Sequence, residues 1–323
     1  FESDFFRRVY EEITRKKRGH RNISKKRAKK TEKPRRIKEV ELFKVIVHPD
    51  WVRAVYCGDN YLFTGCDDKK LRILNLRDVI NRAEAELNAG IASKIIKHPH
   101  KIGAVYCSDN YLFTGCRDGL RIFNLNDILN RAEAELNAGI ASKIINHPGW
   151  VGAVYCGDNY LFTGCDDKKL RIFNLNDILN STEAELNAGS ALKIIEHPHA
   201  VDAVHCNNEH LFTGCLDGLR ILKLNDILNS TEARLNAGIA LKVINHPQDV
   251  WAVYCDDNYL FTGCDDNKLR IFNLNDILNS TEARLNAGSA LKIIEHPNWV
   301  RTVYCSDNYL FTGCDDKKLR IFR

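Results

Sequence analysis

The chain has 323 residues, enough for one large or two ordinary domains, and 44% of them are apolar and 28% charged. No apolar run approaches the roughly 18 residues that span a bilayer, and no apolar leader of a secretory signal follows Phe1. Charge is uneven: residues 1–38 hold 16 Lys/Arg and 5 Asp/Glu, a net of +11, which leaves −6 for residues 39–323 of a chain whose total is +5.

In chain order, the first segment is this basic arm, residues 1–38. Residues 5–13, FFRRVYEEI, predict one short amphipathic helix. Beyond it come Arg15, Lys16, Lys17 and Arg18, then Lys25, Lys26, Arg27, Lys29 and Lys30, then KPRR at 33–36. With so few apolar residues, 15–38 are expected to be disordered in isolation. Such blocks point to nuclear targeting or to a nucleic-acid contact. No aromatic residue interleaves with 15–36, so contact with RNA or DNA would be with phosphates and salt-sensitive. A solvated tail without a partner is the plain alternative. The chain opens on Phe1 and contains no Met, so a start upstream of Phe1 is expected.

Residues 39–47, EVELFKVIV, read as a strand, and a His-Pro pair follows at His48. The pair recurs at His98, His147, His197, His246 and His296, at alternating intervals of 50 and 49 residues. A period of this size signals a solenoid, propeller or array. The third repeat shows which. VGAVYC (151–156) is β-rich, and Gly157-Asp158-Asn159 is a turn. YLFTGC (160–165) is a second strand, KLRIFNL (169–175) alternates as a half-buried third, and ALKIIE (191–196) is a fourth. Four short strands per unit describe one blade of a β-propeller.

These repeats resemble the WD-repeat propellers. The resemblance rests on a His before the first strand, a Thr-Gly in the second and an Asp in the turn before the third, here His147, Thr163-Gly164 and Asp167. It implies structural sets at His48, Thr64 and Asp68; His98, Thr114 and Asp118; His147, Thr163 and Asp167; His197, Thr213 and Asp217; His246, Thr262 and Asp266; and His296, Thr312 and Asp316. The family's Trp-Asp dipeptide is missing, with residues such as Leu74-Asn75 and Phe173-Asn174 in its place. Its hydrogen-bond chain is therefore expected to shorten to His, Thr and Asp. Six copies argue for a packing device rather than six hydrolytic triads, because a catalytic site is needed once. The fold expected is all-β: a six-bladed propeller over 39–323, closed when strand 39–47 completes the last blade. WD-repeat proteins close in this way.

All twelve cysteines sit in the repeats at a C-x8-C spacing such as Cys57 and Cys66. The two would end opposite ends of one hairpin, roughly 15 Å apart at about 3.3 Å per residue. That is far beyond disulfide reach, and no C-x2-C pair suggests zinc. Buried thiols in a reducing compartment, nuclear or cytoplasmic, are expected. Five repeats carry a long insert before the fourth strand, as in residues 174–189. There Asn180 and Glu183 suggest a capping box and Gly189 a helix C-cap, which predicts a helix of about two turns. Ile178, Leu179 and Leu186 would pack on the blade, and the rim charge changes from Glu185 to Arg234 and Arg284.

The loops after His-Pro vary while the strands do not. One position reads Trp51, Lys101, Trp150, Ala200, Asp249, Trp299, and two places later stand Arg53, Gly103, Gly152, Asp202, Trp251, Arg301. The residue before the turn Asp is Asp67, Arg117, Asp166, Leu216, Asp265 or Asp315. All four tryptophans lie in these loops, and Trp and Arg dominate binding hot spots. Trp51, Arg53, Trp150, Trp251, Trp299 and Arg301 are thus the expected contacts for a protein or peptide partner; packing of the rings on neighbouring loops is the competing reading. No phosphate loop, metal spacing or single asymmetric titratable cluster appears, so no enzyme activity, cofactor, metal, small-molecule substrate or membrane contact is expected. The reading is a non-catalytic interaction scaffold; the alternative is a substrate adaptor of a ubiquitin ligase with an F-box-like domain upstream.

Overall fold

The computed structural model describes residues 40–58, 60–108, 110–157, 159–306 and 309–323. The basic arm, with Arg15–Arg18 and Lys25–Lys30, lies outside the described residues. Six sheets follow one another along the chain. Each is built on three antiparallel strands, as in Val52–Cys57, Tyr61–Cys66 and Lys70–Asn75, with Lys94–Lys97 antiparallel beside the third. In the sixth sheet the fourth strand is Leu42–Val47, which pairs antiparallel with Lys318–Phe322. The expected strand thus begins three residues later than the alternation suggested.

The invariant LFTGC strand is buried on both faces because it lies between neighbouring sheets. Leu62 and Cys66 are fully buried, as are their counterparts Leu161 and Cys165. The glycine is a matter of space. A Cβ on Gly164 would stand 2.5 Å from the Val201 carbonyl oxygen of the next repeat. Only a bare Cα lets the following inner strand come so close. The period of 50 or 49 arises at the turn before the third strand. The longer turns place Lys69, Lys168, Asn267 and Lys317 at φ 64–67°, and the shorter ones use Gly119 and Gly218 at φ 127° and 123°.

No disulfide joins the cysteines. Cys57 pairs in register with Leu62 and Cys66 with Val52, so the two sit at opposite ends of their hairpin. Burial pushes the Cys66 thiol up to about 12, which keeps it an uncharged packing group. Among the described residues no helix is long and apolar enough to cross a membrane.

The inserts differ from expectation. In the third repeat the helix is Leu175–Asn180, and its N-cap is Asn174, whose side chain accepts from the Asn176 and Asp177 amides. Asn180 is the last helical residue and Gly189 lies in a 3₁₀ turn, Ala188–Ser190. The capping box and C-cap are therefore not formed. The cap falls to Asn174, which ends the third strand, because the chain must turn there. Ile178 is buried, with Leu179 and Leu186 packed against the same cluster, as expected.

Between helix and fourth strand comes a short strand that the sequence did not announce. Glu185–Asn187 leaves its own sheet and runs parallel to Lys143–Asn146 of the preceding repeat. Five sheets gain a fifth strand in this way, from Glu86–Asn88, Glu135–Asn137, Glu185–Asn187, Arg234–Asn236 and Arg284–Asn286. The sheet whose fourth strand is Lys292–Glu295 has four strands.

Candidate functional site

Two constellations could carry chemistry. The first is the repeated His–Thr set. His48 Nδ1 lies 3.1 Å from the Ile46 carbonyl, so Nδ1 donates and Nε2 accepts from the Thr64 hydroxyl at 3.0 Å. The same pair holds at His98–Thr114, His147–Thr163, His197–Thr213, His246–Thr262 and His296–Thr312, all at 2.9–3.0 Å. Burial lowers each of these histidines to about 4, so the rings are neutral near pH 7. The aspartate does not join the chain. Asp68 is held by a two-pronged pair with Arg72, whose Nη2 reaches it at 2.5 Å. Asp118, Asp167, Asp217, Asp266 and Asp316 are held likewise by Arg121, Arg171, Arg220, Arg270 and Arg320. Burial alone would raise the Asp68 carboxyl, but the bonds and charge of Arg72 overcome it and hold it low. The expected His–Thr–Asp relay thus divides into a His–Thr pair and an Asp–Arg fork. The signal was present: an Arg stands three or four residues after the turn Asp in every repeat. These are packing devices that join loop to sheet.

The second constellation is the varied face, where the inner strands meet around a common axis. In five sheets the register slips at the second residue of the inner strand, for example between Val52 and Ala54. Such a bulge re-aims the extra side chain. The residues so displaced are Arg53, Gly103, Gly152, Trp251 and Arg301. Together with Asp202, Trp150 and Asp166 they line one cavity of about 200 Å³. Deeper along the strands, six rings form a closed circuit: Tyr56, Tyr106, Tyr155, His205, Tyr254 and Tyr304. Neighbouring ring centres are 4.7–5.1 Å apart, and Tyr304 returns to Tyr56. His205 takes the tyrosine position in the fourth sheet and bonds the Cys255 carbonyl at 2.9 Å.

The cavity brings together four of the six expected contact residues. Trp51 and Trp299 stand outside it. Both arginines are already engaged. Arg301 is 5% exposed, donates Nε and Nη2 to Asp315 at 2.9 and 3.0 Å, and lies 4.0 and 4.5 Å from the ring centres of Trp251 and Trp299. Arg53 is paired with Asp67 and stacked on Trp51 and Trp150, at 5.3 and 4.9 Å. Lys101 shares the same carboxylate at 2.6 Å. Trp150 rests on Gly103, where a Cβ would stand 2.2 Å from its Nε1. The tryptophans and arginines therefore pack on one another first.

The unmatched groups at the cavity are three buried donors, Trp150 Nε1, Trp251 Nε1 and Arg301 Nη1, and one carboxylate. Asp202 is 8% exposed, and its carboxylate has neither a hydrogen bond nor an ion pair among the described residues. Burial, with help from the Asp249 and Asp166 charges, pushes it up to about 7. Asp166 and Asp249 are raised by burial as well, and Asp265 to about 6. Sequence reasoning placed Asp202 at a variable position but did not single it out; the signal was one carboxylate in a column of Arg, Gly and Trp. No group of His, Cys, Asp and Glu suited to a metal occurs among the described residues.

The WD40 family model (WD domain, G-beta repeat) matches residues 239–273 and 288–323. The WD40 β-propeller domain of Doa1, a crystal structure, superposes with a TM-score of 0.58 at 14% identity, over 88% of this chain and 96% of that one. Two stretches of the chain thus match the WD40 repeat in sequence, and the fold is that of a WD40 β-propeller. A computationally designed protein, Ika8, is similar at a TM-score of 0.48 and 15% identity, over 84% of this chain and 70% of that one, too distant to carry an argument. No curated protein sequence matches. The WD40 fold suggests a protein-interaction scaffold, and propellers of this kind are generally non-catalytic.

Proposed function

We propose that this WD40 propeller is a non-catalytic scaffold that receives a basic peptide segment at the mouth formed by Arg53, Trp150, Asp202, Trp251 and Arg301. The supporting observation is Asp202: a nearly buried carboxylate with no partner, in a cavity whose cations are already neutralised. An incoming ammonium or guanidinium would supply the missing countercharge in a desolvated site, where such a pair is worth most. Trp51 and Trp299 would form the outer contact, Trp299 being 39% exposed.

The test is peptide binding by fluorescence anisotropy at pH 7.5, with Lys/Arg-containing, neutral and acidic peptides of equal length. Basic peptides should bind best. Asp202→Asn should weaken them about tenfold or more, and the double variant Trp51→Ala/Trp299→Ala by several-fold. Arg301 is left intact, because removing it would strand Asp315. Equal binding of acidic and basic peptides, or an Asp202→Asn variant that binds as before, would sink the proposal. The basic arm is proposed to serve nuclear targeting or to contact nucleic-acid phosphates. If it contacts phosphates, affinity for random RNA should fall steeply with salt.

A further inference from the structure

The charge of the mouth is unevenly placed, and the placement is set sheet by sheet. Each sheet brings two varied residues to this face: one at the start of its inner strand and one directly after its second strand. In the first and sixth sheets the two cancel, because Arg53 is bonded to Asp67 and Arg301 to Asp315. In the other four they do not. The second sheet has Gly103 and Arg117, the third Gly152 and Asp166, the fourth Asp202 and Leu216, and the fifth Trp251 and Asp265. Glycine, leucine and tryptophan supply no countercharge.

Negative charge therefore collects on the third, fourth and fifth sheets. Asp166, Asp202 and Asp249 have no cation within ion-pair distance among the described residues. Asp265 has only Arg301, 3.8 Å away and already bonded to Asp315. The second sheet is the reverse. Arg117 is exposed and has no carboxylate within ion-pair distance among the described residues. Its neighbours are spoken for: Asp118 is held by Arg121, and Lys101 is bonded to Asp67.

The ring circuit fixes where the two sides stand. Its six members follow chain order and close on themselves, so the second sheet faces the fifth across the axis. Arg117 thus stands opposite Asp249 and Asp265, with Asp202 one sheet nearer. A field of this shape orients a charged segment as well as attracting it.

We infer that the mouth selects an amphoteric segment of a partner protein, whose cationic side chain sits at Asp202 and whose acidic residue meets Arg117. This rests on the basic-peptide reading above and adds a second anchor to it. The ring circuit is about 10 Å across, and Arg117 stands roughly one strand spacing, about 4.8 Å, further out. The two charges are then on the order of 15 Å apart, or about four to five extended residues at roughly 3.3 Å each. Because Arg117 is exposed, its share is modest, about two- to fivefold in affinity at low salt.

The experiment uses the 323-residue protein and anisotropy at pH 7.5 and low salt. The labelled peptides are capped at both ends and otherwise uncharged. One carries a single lysine. The second adds a glutamate about five residues from it, tested on either side because the chain direction is open, and the third has a second lysine in that place. The lysine–glutamate peptide, in its better order, should bind about two- to fivefold tighter than the single-lysine peptide. Arg117→Ala should close that gap, and Arg117→Glu should invert it, so that the two-lysine peptide binds best. Asp202→Asn should weaken all three, and added salt should shrink the gap. If the single-lysine peptide binds but glutamate adds nothing, or if the gap persists in Arg117→Ala, the second anchor is wrong and the basic-peptide reading stands. If the single-lysine peptide does not bind the parent protein, both fall.

Discussion

The body of the sheets and the mouth of the axis obey opposite rules. In the body, Thr64 and its five equivalents meet the same His, and Arg72 and its equivalents meet the same Asp. At the mouth, the six positions from Arg53 to Arg301 hold four residue types in one shared cavity. A side chain whose partner is repeated must itself be repeated, because each sheet solves the same packing problem. Side chains that converge on one cavity are not bound in this way. They act as a single composite surface, and uniformity there would give six like charges. Uniformity therefore marks what holds the molecule together, and variety marks what it presents outward.

Four measurements can break or sharpen that contrast, from the largest effect to the smallest. Gly164→Val places a branched side chain where even a Cβ would stand 2.5 Å from a backbone oxygen. It should cost about 3 kcal/mol or more in urea unfolding, if the protein folds at all. Arg171→Met leaves Asp167, which is 18% exposed, without its fork. A loss of about 2 kcal/mol is expected, below the figure for a fully buried pair because water reaches the carboxylate. Asp202→Asn should act in the opposite direction. The native carboxyl titrates near 7 instead of 3.8, so the folded state holds its proton more tightly than the unfolded chain does. The associated stability is present at low pH and is lost as pH rises through 7. The variant should therefore melt above the parent at pH 8, by about 1–2 kcal/mol, and the gap should close towards pH 4. Trp299→Ala, at an exposed ring, should change stability by less than about 0.5 kcal/mol. A large loss from Trp299→Ala, or a destabilised Asp202→Asn at pH 8, would erase the distinction between body and mouth.

The sequence made the repeating features legible because each was written six times. The four antiparallel strands, the burial of the thiols and the His–Thr pair all follow from local pattern and period. Non-local consequences were harder to see. The short strand Glu185–Asn187 has three residues and no alternation, and only the facing edge of the preceding sheet makes it a strand. The capping box was read at Asn180, whereas the cap forms at Asn174, where the third strand ends and the chain turns. Asp68 was assigned to the His48 relay, yet a guanidinium four residues away satisfies both of its oxygens. At the mouth, the residue types pointed to Trp and Arg, whereas the unmet charge belongs to Asp202. Composition reports which groups are present, and only packing reports which are already satisfied.

The circuit of tyrosines with His205 sets a limit on anything that enters. Six ring centres spaced 4.7–5.1 Å apart lie about 5 Å from their common axis, within the reach of an aromatic ring and its van der Waals shell. The passage therefore narrows at this depth to a collar of aromatic rings, three residues along the strands from Asp202. A side chain that enters from the mouth meets charge first and ring surface second, so its length decides which of the two it can use.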